Sequence, residues 1–200
     1  QFSEKFSTNR IMKSLKNIGF TDVFEIEKSI EPVKSKFNSV LQEGSCEKPL
    51  ISTFCPAVVR LIQVSFPGLV FHIANYKAPL DLAALFIQQE LKQKGIPEAE
   101  TGIFYVTPCA AKIAAVKSPV GEEKSIINGV INMDFLYNMV RKEISDHPES
   151  GEEELRENYY TGKGLLWSLT DGEAAHMKGR SLAIDAMSNV IEFLEKLENE

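Results

Sequence analysis

Apolar residues recur along this chain with two alternating periods, and the alternation predicts a series of short strands and amphipathic helices. Ser7 to Ile18 has Ile11, Leu15 and Ile18 on one face, a Ser7 or Thr8 cap ahead of it and Gly19 behind it, the signature of a helix. Val23 to Ile26 alternates as a strand, and Val33 to Leu41 predicts a second helix ended by Gly44. Pro49 to Phe54 is a predicted strand running directly into Cys55-Pro56, followed by a helix over Ala57 to Phe66 that Pro67-Gly68 stops. Residues 69–77 are apolar but irregular. Pro79 to Lys94 predicts a long helix burying Leu82, Leu85, Phe86 and Leu91, with Gly95 closing it.

Gly102 to Val106 gives the clearest strand signal. Thr107-Pro108-Cys109 ends that strand, and Ala110 to Val116 returns as helix. Ile126 to Ile131 predicts a further strand, and Met133 to Ile144 a helix capped by Asn132. Residues 146–157 are acidic and rich in Ser, Pro and Gly, so they read as a loop. A surface lobe from Leu165 to Lys178 precedes a closing helix over Leu182 to Leu197. Strands alternating with helices predict an α/β fold with a mostly parallel sheet flanked by helices. We expect two lobes, with a metal site at a cleft where strand ends meet helix starts.

The chain has 200 residues, 44% of them hydrophobic, enough for one sizeable core or two smaller ones. Its net charge of −6, with lysines and glutamates interspersed, argues against a nucleic-acid surface. No stretch approaches the roughly 18–20 apolar residues of a membrane span, and Gln1 to Lys5 is too polar for a signal peptide. Three cysteines make no disulfide framework, and a reducing, cytoplasmic setting is expected.

Chemistry concentrates at two of those cysteines. Cys55, in Ser52-Thr53-Phe54-Cys55-Pro56, and Cys109, in Thr107-Pro108-Cys109-Ala110-Ala111-Lys112, each follow an apolar segment and open a helix. Pro56 stands where a helix needs no N–H. The partial positive charge of a helix start favours a thiolate, the form that binds iron. A lone cysteine at such a place is more often core packing; two at matching turns, each beside a proline, tip the balance modestly towards ligation. Cys46 lies in a polar loop and reads as an unpaired thiol. Lys112 places an ammonium in a first helical turn, which is electrostatically unfavourable unless an anion lies nearby. His72, His147 and His176 lack zinc spacing, and the acidic runs lack a Gly-punctuated ligand loop, so both read as structural or solvated. Asp171-Gly172-Glu173-Ala174-Ala175 reads either as a segment that shapes the metal pocket or as a capped helix start, and the second is favoured.

At these turns the sequence resembles the iron-only (di-iron) hydrogenases, in the large-subunit domain that holds the H-cluster. Ser52 to Pro56 lies over a Thr-Ser-Cys-Cys-Pro turn, and Pro108 to Lys112 over the start of a Pro-Cys-x-x-Lys-x-x-Glu turn. The similarity extends through the helix after Cys55, Lys77-Ala78-Pro79, Asn128 to Ile131 and the closing helix. The resemblance implies that Cys55 and Cys109, beside Pro56 and Pro108, are two of four ligands to a 4Fe-4S cubane that bridges to a di-iron subcluster. It implies that Lys112 contacts a cyanide. It also implies iron–sulfur electron-transfer domains, PAS-type signalling modules and hydrogenase maturation proteins as partners of a longer parent chain.

Three departures form a set. Phe54 stands where catalytic members have a second cysteine, Ala78 where they have serine, and Ala115 where they have the motif's closing glutamate. The resemblance assigns those three residues to one proton relay, and neither Phe nor Ala exchanges protons. The pattern is similar to the sensory branch of the family, which implies a hydrogen or redox sensor with an impaired relay. The family's second pair of cluster cysteines, a Cys-x-x-x-Cys segment, would follow the last helix. We therefore expect a fragment of a larger domain that is inactive and cluster-free by itself. A non-catalytic iron–sulfur carrier or assembly protein, or a metal-free interaction module of the same fold, is the alternative.

Overall fold

The computed structural model describes residues 6–26, 49–119, 124–148, 171–176 and 180–199. Seven α-helices and two strands are seen among them: α1 (Thr8–Asn17), α2 (Pro56–Ser65), α3 (Pro79–Gln93), β1 (Phe104–Thr107), α4 (Ala110–Lys117), β2 (Gly129–Asn132), α5 (Met133–Asp146), α6 (Gly172–His176) and α7 (Met187–Glu198). The chain divides into two compact units, one of Gln1–Glu25 with Ile87–Tyr160, the other of Ile26–Phe86 with Thr161–Glu200.

The first unit is built on a parallel β1–α4–β2 arrangement. Phe104 pairs with Gly129, and Thr107 with Asn132 at the far end of the register. Asn128 extends the pairing by one position. Its N–H donates to the Ile103 carbonyl at 2.8 Å, and its Oδ1 accepts from the Ile103 N–H at 2.7 Å. Asn132 then turns strand into helix, its side chain accepting from the Asp134 N–H at 2.8 Å. α5 buries Leu136, Val140 and Ile144 against Leu15 of α1, with Val106 and Ile131 of the strands packed on the same cluster.

Two of the predicted glycine stops, Gly19 and Gly95, are Schellman caps. Gly19 (φ +117°) donates to Lys16 while Phe20 donates to Leu15, and Gly95 (φ +74°) donates to Lys92 while Ile96 donates to Leu91. Arg10 reaches from α1 to the end of α5, donating from Nη2 to the carbonyls of Ile144 and Pro148, each at 3.3 Å.

In the second unit, α2 places Ile62 and Phe66 against Leu69 and against Leu194 of α7. A 3₁₀ segment, Pro67–His72, follows α2 and accounts for the irregular run seen in the sequence.

Five sequence expectations need correction. Val23 to Ile26 is not a strand: no partner strand is seen among the described residues, and the Asp22 carboxylate takes the Val23 N–H at 2.9 Å. Pro49 to Phe54 shrinks to a single parallel bridge between Ile51 and Ile73, because the chain turns at Thr53 and Phe54 before a ladder forms. α3 buries Pro79, Ala83 and Ala84; Leu82, Leu85 and Leu91 are half-buried and Phe86 is 41% exposed. The closing helix starts at Met187, since Ala186 has φ +62°, incompatible with a helix running through it. The strand predicted from Ile126 lies at Gly129–Asn132. The predicted helix over Val33 to Leu41, Cys46 and most of the lobe and loop around residues 149–170 lie outside the described residues.

Candidate metal-ligand turns

The two cysteine turns are built alike. Ser52 and Thr107 each turn a hydroxyl back on the chain: Ser52 Oγ accepts from the Phe54 N–H at 3.1 Å, and Thr107 Oγ1 from the Cys109 N–H at 3.2 Å. Each cysteine follows in extended conformation as the N-cap, Cys55 at φ −102°, ψ 102° and Cys109 at φ −84°, ψ 114°. Their carbonyls accept the first helical hydrogen bonds, from Val59 and Ile113, both at 3.1 Å. Neither thiol serves as a capping acceptor, so neither sulfur is used by its own helix. Cys55 is exposed and Cys109 half-buried. Neither is sealed in an apolar core, where packing alone would account for it.

Pro56 occupies the first position of α2, and Pro108 precedes the Cys109 cap. Lys112 sits half-buried in the first turn of α4, in the same unit as Cys109. Ala115 lies half-buried on the same helix. Phe54 and Ala78 are half-buried in the second unit, and the Ala78 carbonyl opens α3 by accepting from Asp81 and Leu82.

Sequence reasoning did not foresee the polar cluster behind the Cys55 turn. Glu173, on α6, accepts from Ser52 Oγ at 2.7 and 2.8 Å through its two oxygens, and from the Tyr76 hydroxyl at 3.3 Å. Thr53 Oγ1 donates to the Tyr76 carbonyl at 3.2 Å. Burial pushes the Glu173 carboxyl above its ordinary value, against the opposing pull of the Ser52 and Tyr76 hydrogen bonds. The Tyr76 phenol is pushed up to about 12, by burial first and then by the neighbouring Glu173 charge. α6 does begin at Gly172, as its pattern predicted, but its glutamate faces a buried network. The signal available in the sequence was an acid between a glycine and two alanines, positions with little else to pack.

Residues 1–198 match the family described as the iron only hydrogenase large subunit, C-terminal domain. The chain belongs to this family. Iron hydrogenase 1 of Clostridium pasteurianum is 23% identical over 196 residues, which cover 93% of this chain and 34% of that protein. The chain thus spans about a third of that curated relative's length. Among solved structures, a variant of apo FeFe-hydrogenase HydA1 from Chlamydomonas reinhardtii superposes with a TM-score of 0.60 at 18% identity, over 96% of this chain and 47% of that one. A HydA structure described as revealing stepwise H-cluster assembly gives 0.61 at 18% identity, over 96% and 46%. These likenesses show the iron-hydrogenase fold, an α/β arrangement in which helices flank a small parallel sheet.

The donor chemistry of the iron hydrogenase cluster fits the two turns only in part. Two thiols at helix starts suit iron, yet a cubane takes four cysteines. Among the described residues no group of three or more His, Cys, Asp or Glu side chains is placed to hold a metal ion. No helix among the described residues is long and apolar enough to cross a membrane.

Proposed function

We propose that this chain is part of an H-cluster domain in which Cys55 and Cys109 are two of the cubane ligands and Lys112 faces an anionic ligand of the di-iron subcluster. On this reading the parent protein acts in the cytoplasm as a hydrogen or redox sensor and turns hydrogen over slowly. One observation carries the sensory assignment: Phe54, Ala78 and Ala115 leave three positions without a titratable side chain, where resemblance to catalytic members calls for cysteine, serine and glutamate. The matched, uncapped thiols of the two turns support the ligand assignment. Partners on this reading are iron–sulfur electron-transfer domains, PAS-type signalling modules and the maturation proteins that build the cluster.

The test is the full-length parent protein, matured and examined by infrared spectroscopy and hydrogen-oxidation assay. Bands from iron-bound carbon monoxide and cyanide are expected, together with slow turnover that Phe54→Cys raises only in part, because Ala78 and Ala115 remain. Turnover as fast as in catalytic relatives overturns the sensor reading. Loss of neither iron nor bands in Cys55→Ser and Cys109→Ser variants overturns the ligand assignment.

A further inference from the structure

The segment that delivers Cys55 is held at both ends by backbone and in the middle by side chains. At its start, the Ile51 N–H donates to the His72 carbonyl at 2.7 Å and the Ile51 carbonyl accepts from Ala74 at 2.9 Å. At its end, Pro56 begins α2. Between them Ser52 and Thr53 are tied through their hydroxyls, and the bonds donated by Ser52 converge on one carboxylate.

A serine hydroxyl has a single hydrogen and two lone pairs. With that hydrogen committed to Glu173, the lone pairs are turned towards the Phe54 N–H, 3.1 Å away. Glu173 thus sets the rotor of Ser52, and Ser52 sets the backbone one residue ahead of the cysteine. The second acceptor role of Glu173, towards the Tyr76 hydroxyl, ties in Thr53 through the Tyr76 carbonyl. A carboxylate is costly to place in a partly buried setting, and two hydroxyl donors offset only part of that cost. Among the described residues nothing comparable is seen at the Cys109 turn, where the hydroxyl of the buried Thr107 (3% exposed) accepts from the Cys109 N–H.

We infer that Glu173 is a positioning residue for Cys55: through Ser52 and Tyr76 it fixes the turn that presents the Cys55 sulfur. The inference rests on the proposed ligand role of Cys55 for its meaning, but the geometry is testable without iron.

Native-state alkylation by iodoacetamide, followed at the Cys55 and Cys109 peptides by mass spectrometry, reads each sulfur separately. Thiol reactivity follows access and thiolate fraction, so Glu173→Ala should speed Cys55 alkylation at least about threefold and leave Cys109 unchanged. Glu173→Gln retains an acceptor oxygen and should stay within about twofold of wild type, since geometry and not charge is at work. A Cys55 rate in Glu173→Ala equal to wild type, or a parallel rise at Cys109, overturns the inference. So does a Glu173→Gln rate as high as that of Glu173→Ala. Should Glu173→Ala lose its helical circular dichroism, Ser52→Ala removes the same link by one atom and is judged by the same ratio. Selective acceleration at Cys55 with unchanged iron content in a Cys55→Ser parent protein would uphold the positioning role and reject the ligand role.

Discussion

Truncating Ile62 should loosen the second compact unit by an amount the structure lets us work out. Ile62 is 0% exposed, one helical turn from Phe66 and packed with Leu69 and Leu194. Ile62→Ala removes three carbons, a transfer loss of about 2.4 kcal/mol at about 0.8 kcal/mol per buried group. The cavity left behind raises the expected cost to about 3–4 kcal/mol, within the usual range of about 2–5 kcal/mol. Ile62→Val removes one carbon, and about 1 kcal/mol is expected. The chain divides into two compact units, so the loss is best read locally, in the unit that holds Ile62. Amide hydrogen exchange within Pro56–Ser65, the helix that carries Ile62, gives the opening free energy locally. A loss below about 1 kcal/mol for Ile62→Ala, or equal losses for the two variants, would mean that Leu194 does not close over this side chain, and the described packing of α7 on α2 would be wrong.

Three further outcomes follow from individual contacts. Gly95→Ala should cost about 1–2 kcal/mol by thermal denaturation, since φ +74° strains any L side chain, whereas Gly68→Ala meets only the movable Glu198 carboxylate at 3.1 Å and should be within about 0.5 kcal/mol of neutral. Arg10→Met should weaken the first unit by about 1 kcal/mol, seen as faster exchange at the end of α5, through loss of the bonds to Ile144 and Pro148. Glu173 binds its proton more tightly when folded, so its ionised form opposes folding at neutral pH, and that penalty fades as pH falls through the raised value towards 4.5. Glu173→Gln should therefore be favoured over wild type in urea midpoints at pH 7, with the gap closing as the pH is lowered; a gap that widens on acidification refutes this sign.

Helix ends were the most legible feature, because caps and stops are written in single residues. Ser7, Asn132, Gly19 and Gly95 each perform the role their identity predicts. Strands were less legible. Val23 to Ile26 alternates and Pro49 to Phe54 is partly apolar, but a strand exists only where a partner offers a ladder, and the Asp22 and Ser52 side chains captured the backbone instead. The buried face of α3 was misread because size was taken for burial. Alanines at 83 and 84 allow close approach while Phe86 stays 41% exposed. At the candidate site, the cysteine turns could be found from local pattern, since each is organised within four residues. Glu173 could not, because its partners Ser52 and Tyr76 stand 121 and 97 positions away.

That same separation governs the order in which the chain can assemble. The cluster around Ile62 is incomplete until Leu194 exists to cover it, so a growing polypeptide carries α2 half-dressed until α7 has been made. Long loops must close before such distant partners meet, which slows this half relative to the locally wired β1–α4–β2 arrangement. During that interval the Cys55 thiol stands on an unfinished scaffold.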